Sequence, residues 1–155
     1  MNEEIYDIEH IKKFNSDGGE ILLFCIENLV YGIEIQYITE IIGIQPVTVI
    51  PKVADFIKGV INIRGKVVPV ISARKKMRRP EISYDDRTCI IVVDIDEITV
   101  GIIVDRVRAV EQVSTESICS TVDYKKIKIN QYVQNIVDSD GEIKQILNIR
   151  KFVME

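Results

Sequence analysis

Few residues in this 155-residue chain have the types and spacing that chemistry needs. The only histidine, His10, lies in a polar, acidic lead-in, away from any predicted cleft that could position it as a base. Cys25, Cys89 and Cys119 show no C-x-x-C spacing, which argues against a disulfide framework or a zinc site. Cys25 and Cys89 sit inside apolar strands, where a thiol packs as a small hydrophobe. Asp94, Asp96 and Glu97 form an acidic cluster, but it falls on a predicted hairpin turn and reads as solvated. There is no phosphate-cradling G-x-x-x-x-G-K loop and no G-x-S-x-G elbow. No catalytic residue, metal or cofactor is therefore expected.

Two positive features remain. Arg74, Lys75, Lys76, Arg78 and Arg79 form a basic run closed by Pro80. Single-strand binding combines such charge with interleaved aromatic platforms, yet the chain has no Trp, and its nearest aromatics are Phe56 and Tyr84. With a formal net charge of −4, nucleic acid is not an expected partner. The run instead suits the C-terminal end of a short helix, or contact with an acidic partner protein. The second feature is Arg64, at the tip of FIKGVINIRGKVVPVI (56–71). This stretch reads as two apolar strands joined at Arg64-Gly65, with Gly65 supplying a positive φ. Arginine adds nothing to such a turn, but its planar fork of five donors suits a partner's carboxylate or carbonyls. A solvated turn arginine is the competing reading. Pro69 cannot donate to a ladder, which predicts an edge strand or a bulge.

The elements around that hairpin follow in order. Residues 1–19 read as a flexible lead-in ending in Gly18-Gly19. Residues 20–26 are apolar on both faces, Glu27-Asn28 is a turn, and 29–35 returns as a strand interrupted by Gly32. Ile35, Ile38, Ile41 and Ile42 repeat at helical spacing, which predicts a two-turn helix capped at Gly43. PVTVIP (46–51) predicts an extended strand.

The rest of the chain repeats this plan. Shifted by 69, ILLFCIENLVYGIEIQYITEI from Ile21 lies on IIVVDIDEITVGIIVDRVRAV from Ile90 without a gap. Shifted by 76, FIKGVINIRGKVVPVISARK from Phe56 lies on YVQNIVDSDGEIKQILNIRK from Tyr132, so Gly65 meets Gly141 and Arg74 meets Arg150. Two blocks matching in the same order indicate an internal duplication. The expected fold class is mainly β: two small five-stranded SH3-like barrels with short helices and a shared apolar layer. One domain is expected over 20–153, with approximate lobes 20–79 and 88–153 between which strands can be exchanged. The hydrophobic content of 46% is ample for that core, no run of eighteen apolar residues is present, and the acidic start is not expected to be a signal peptide.

The run FIKGVINIRGKVVPVIS, with YGIEIQYITEII before it and ITVGIIVDRVRAV after it, resembles the CheW family of chemotaxis adaptors and the homologous regulatory domain of the CheA histidine kinase. The resemblance covers about residues 20–153. It implies a scaffold that couples the cytoplasmic tips of chemoreceptors to the kinase regulatory domain. It also implies a receptor-facing surface near Ile38 and Glu40 on the short helix and near Gly59 and Arg64 on the hairpin. The kinase-facing residues are not identified by it. Such an adaptor is cytoplasmic, monomeric when free, recruited to membrane-associated receptor arrays, and not itself inserted in the membrane. A CheW-like domain of a larger signalling protein, such as a CheV-type adaptor or the kinase itself, is the alternative within the family. Ser72-Ala73 and Asn148 depart from the family pattern at positions where an acid is usual, which bears on fold details rather than function.

Overall fold

The computed structural model describes residues 18–120, 129–139 and 141–155. His10 and nearly all of the expected lead-in lie outside them. The described residues form eleven strands and two short helices. The first hairpin is β1 (Gly18–Ile26) and β2 (Leu29–Glu34), after which a 3-10 turn (Ile35–Tyr37) leads into β3 (Ile38–Gly43). The central hairpin is β4 (Ile57–Ile63) and β5 (Lys66–Ser72), closed by α1 (Ala73–Lys76). The second half repeats this with β6 (Cys89–Ile95), β7 (Ile98–Val104), β8 (Arg106–Ser114), the three-residue β9 (Ile118–Ser120), β10 (Val133–Ser139), β11 (Glu142–Leu147) and α2 (Ile149–Met154).

The strands form two sheets, ordered β8-β1-β2-β11-β10-β9 and β3-β6-β7-β5-β4. These sheets cut across the approximate lobes 20–79 and 88–153, because each takes its leading hairpin from the other half of the chain. Hairpin β1–β2 joins strands of the second half, where β2 runs parallel to β11 with Gly32 opposite Ile146. Hairpin β6–β7 joins strands of the first half, and Gly101 lies opposite Val70 in the matching parallel pair. Residues 69 and 76 apart thus occupy equivalent positions, as a duplication requires.

Each sheet closes on itself. The chain leaves β3 at one edge of its sheet and reaches β4 at the other, where Thr48 and Val60 exchange backbone hydrogen bonds of 2.9 Å. In the second half β8 continues through a 3-10 turn to β9, which pairs with β10 across the same gap. A single bridge closes the first barrel and the three-residue β9 closes the second, the kind of closure that small antiparallel sheets use.

The two-sided apolar character of 20–26 and 90–95 has a direct cause. Ile21, Leu23 and Cys25 point into one barrel with Val113, Val137 and Ile146. Ile90 and Val92 point into the other with Ile61, Val68, Val70 and Ile103. Between them Leu22, Phe24 and Ile26 meet Ile91, Val93 and Ile95 in a third layer common to both barrels. Successive side chains of one strand therefore serve two cores. Burying each such side chain contributes about 1.5–3 kcal/mol, so the shared layer binds the barrels firmly.

Three expectations need correction. Residues 38–43 are strand, not helix: a bulge at Thr39 separates the pairs Ile38↔Val93 and Glu40↔Val92. The inserted residue turns a period of two into the spacing of three that imitates a helix. Of the strand expected over 46–51, only the Thr48 bridge exists. The edge or bulge expected for β5 resolves differently: the strand is interior, and the bulge of this hairpin lies in its partner β4, between Ile57 and Gly59. Pro69 is accommodated because parallel pairing with β7 starts one residue later, at Val70. Its antiparallel partner Val60 turns its N–H outward to Thr48.

Both departures from the family pattern keep one job. The Ser72 hydroxyl accepts from Lys75 N at 3.2 Å, and the Asn148 side chain accepts from Lys151 N at 3.1 Å. Serine and asparagine are both good N-caps, so α1 and α2 start as they would with an acid there.

Candidate functional site: the central hairpin tip and its seam

Arg64 and Gly65 form the two-residue turn between β4 and β5, with φ of 50° and 83°. Two positive φ values mark the hairpin turn that matches strand twist. For a side-chain-bearing residue such as Arg64 this conformation costs about 1 kcal/mol. The Asn62 carboxamide oxygen holds the turn by accepting from Gly65 N at 2.9 Å. The Arg64 side chain is 76% exposed.

Glu40 arrives from the opposite edge of the same sheet. The bulge at Thr39, whose hydroxyl donates to the Val92 carbonyl at 3.2 Å, re-aims the strand so that Glu40 turns outward. Because the sheet is closed, Glu40 then lies across the seam from the hairpin tip, and one terminal nitrogen of Arg64 donates to its carboxylate. An exposed pair of this kind contributes at most about 1 kcal/mol. Its effect is geometric: one donor holds the guanidinium in place, while the rest of the fork faces solvent.

Gly59 shapes that seam. It is buried, sits at a bulge in β4 with φ of 143°, and packs under the chain that returns from β3. A Cβ there would fall 2.1 Å from the Thr48 carbonyl oxygen. Only glycine allows Thr48 to approach β4 and so brings Glu40 round to Arg64. Ile38 is 3% exposed and packs in the shared layer. Of the four residues singled out in the sequence, two form the exposed pair, one permits the closure behind it, and one is core beneath it.

The basic run is largely committed to the fold. Arg74 is 8% exposed. It donates to both oxygens of Asp105 at 2.8 and 2.6 Å, to Glu27 at 3.2 Å and to the Pro80 carbonyl at 2.9 Å. Asp105 also accepts from Glu27 N at 2.7 Å. Burial pushes the Asp105 carboxyl up, but the Arg74 and Glu27 hydrogen bonds outweigh it and leave the group below its ordinary range. Arg79 adds a second bond to Glu27 at 3.1 Å. Lys76 is buried with its ammonium 3.9 Å from the centre of the Phe56 ring. Sequence reasoning missed this network, although one signal was present: the shift of 69 puts Glu27 on Asp96, and the shift of 76 puts Arg74 on Arg150. Arg150 and Asp96 are indeed paired, linking the barrels by an equivalent crossed contact.

A family model for the CheW-like domain matches residues 20–155. A chemotaxis protein CheW of Klebsiella aerogenes is 38% identical over 136 residues, covering 88% of this chain and 82% of that protein. One from Thermotoga maritima is 30% identical over 138 residues, covering 88% of each. The crystal structure of scaffolding protein TtCheW from Thermoanaerobacter tengcongensis superposes with a TM-score of 0.76 at 29% identity, covering 89% of both chains. Family match, relatives and two-barrel architecture agree, and the chain belongs to the CheW-like domain family.

Proposed function

We propose that this protein is a non-catalytic chemotaxis adaptor that couples the cytoplasmic tips of chemoreceptors to the regulatory domain of the CheA histidine kinase. The observation that carries this reading is the family match, which extends from β1 to the last residue of the chain. Arg64 and Glu40 form the receptor-facing surface, with Gly59 and Ile38 supporting it from within. Val67, three residues from Arg64 and 63% exposed, offers apolar area beside the charged pair. Free, the adaptor is a monomer; with its partners it joins an array at the membrane. It reaches the membrane through those partners: none of its described helices is long and apolar enough to cross one.

A pull-down with a receptor tip fragment and a CheA regulatory domain, each alone and then together, tests this. The adaptor should retain each partner separately and both in one complex. Retention of neither would overturn the reading.

A further inference from the structure

On the far side of β4 from the hairpin tip lies an open cleft of about 640 Å³ between the two barrels. Phe56, on its wall, precedes β4 and Arg64 follows it, so about seven extended residues, roughly 23 Å, separate the cleft from Arg64. Lys75, Lys76, Arg78 and Arg79 line the cleft, with Asp55 and Glu155 as its only acids among the described residues. Four cations against two acids make this a locally positive site on a chain of net charge −4.

The cations are not equivalent. Arg79 is held by Glu27 and Lys76 by the Phe56 ring, while Lys75 lies 3.9 Å from Asp55. Arg78 is different: among the described residues its guanidinium has no partner, and it is exposed. Its backbone is also unusual. Arg78 N bonds to Lys75 O at 3.0 Å and Arg79 N to Arg74 O at 2.7 Å, the two bonds of a Schellman helix end. Arg78 occupies the left-handed position of that motif, φ 60°, where glycine is the favoured residue. A long charged side chain is thus kept, against backbone preference, at the mouth of a positive cleft. Strain held at an exposed, unpartnered group points to a role outside folding.

We propose that this cleft is a docking site for an acidic peptide segment of a partner protein, with Arg78 as its principal anchor and Lys75 beside it. Charge complementarity selects the partner: carboxylates exchange hydration for the free Arg78 fork, while the paired Arg79 and Lys76 set the field around it. The site stands independently of the hairpin tip.

Calorimetric titration of the whole chain with a short poly-L-glutamate peptide tests this. Saturable binding is expected, weakened at least tenfold in Arg78→Gly, with a melting temperature unchanged or raised because glycine fits the helix end. Arg87→Ala, which removes an exposed cation outside the cleft, should bind as the native chain does. No saturable binding by the native chain, equal binding by Arg78→Gly, or equal weakening by Arg87→Ala would each overturn the proposal. Pyrophosphate and phosphatidylglycerol vesicles form the remaining arms. Tighter binding of either, with the same dependence on Arg78, would assign the cleft to phosphate chemistry instead of peptide carboxylates.

Discussion

The hairpins β4–β5 and β10–β11 occupy equivalent places in their barrels, yet they carry different side chains. Both contain a bulge near the start of the first strand, after Ile57 in one and after Val133 in the other. Gly65 and Gly141 lie at the tips, both at positive φ, and both hairpins feed a short helix through a capping side chain. At the tip, however, Arg64 corresponds to Asp140 and Glu40 to Ala109. Among the described residues, the pair across the seam belongs to the first half. Inside the barrels the contrast reverses. Val68 and Ile42 are apolar, while their counterparts Lys144 and Glu111 form an ion pair of 2.6 Å with the lysine side chain 3% exposed. Duplication thus kept the backbone and let each half place its charge differently. Charge at the exposed tip is available to a partner; charge in the second barrel is turned inward and is part of the fold.

The bulges give the largest expected contrast. Gly59 has Asn135 as its counterpart, so one bulge requires glycine and the other does not. Gly59→Ala should destabilise by at least about 3 kcal/mol, because either Thr48 or β4 must move. Asn135→Ala should cost no more than about 1 kcal/mol. Urea denaturation of both variants measures this, and equal losses would break the contrast.

Next come the two crossed arginines. Asp105 and Arg74 are largely shielded, whereas Asp96 and Arg150 are 57% and 53% exposed. Asp105→Asn should cost about 2 kcal/mol at neutral pH, and Asp96→Asn at most about 0.5 kcal/mol. The Asp105 carboxyl is held below its ordinary value in the folded protein. Its stabilisation is therefore complete above the unfolded value of about 4 and is lost as pH falls through the folded value. Melting curves of the native chain and Asp105→Asn should converge below about pH 4. A gap that widened there would reverse the sign of the linkage.

The smallest expected effect on stability belongs to the tip. Arg64→Ala removes an exposed pair but leaves the positive φ of the turn as costly for alanine as for arginine, so only the small contribution of the pair is lost. Thermal unfolding should shift by less than about 1 kcal/mol. A collapse would make Arg64 structural.

Much of this was legible in the chain, for identifiable reasons. Glycine at positions 65 and 141 and the polar pairs at 27–28 and 96–97 mark turns by local chemistry, and both glycines and both pairs fall between consecutive strands, as that chemistry requires. The duplication was readable because apolar spacing survives substitution. What failed depends on contacts distant in sequence. The bulge at Thr39 shifted the phase of β3 and made a strand imitate a helix, and nothing within 35–43 reveals it. Arg64 and Glu40 were each singled out, but their pairing follows from barrel closure, which spacing does not encode. The basic run looked like surface because Asp105 and Glu27 lie 31 and 47 residues away.

The central claim is that the exposed Arg64–Glu40 seam faces the receptor. Titrating native and Arg64→Ala protein with a receptor tip fragment, and separately with the CheA regulatory domain, tests it most directly. Receptor binding should weaken by about 1.5–3 kcal/mol, the range for hydrogen bonds to charged groups. That is roughly ten- to a hundredfold in Kd. Arg64→Lys should also bind poorly, since a point charge does not reproduce the fork. Kinase-domain binding and melting temperature should stay where they are. Undiminished receptor binding, or equal loss towards both partners at unchanged stability, would contradict the account.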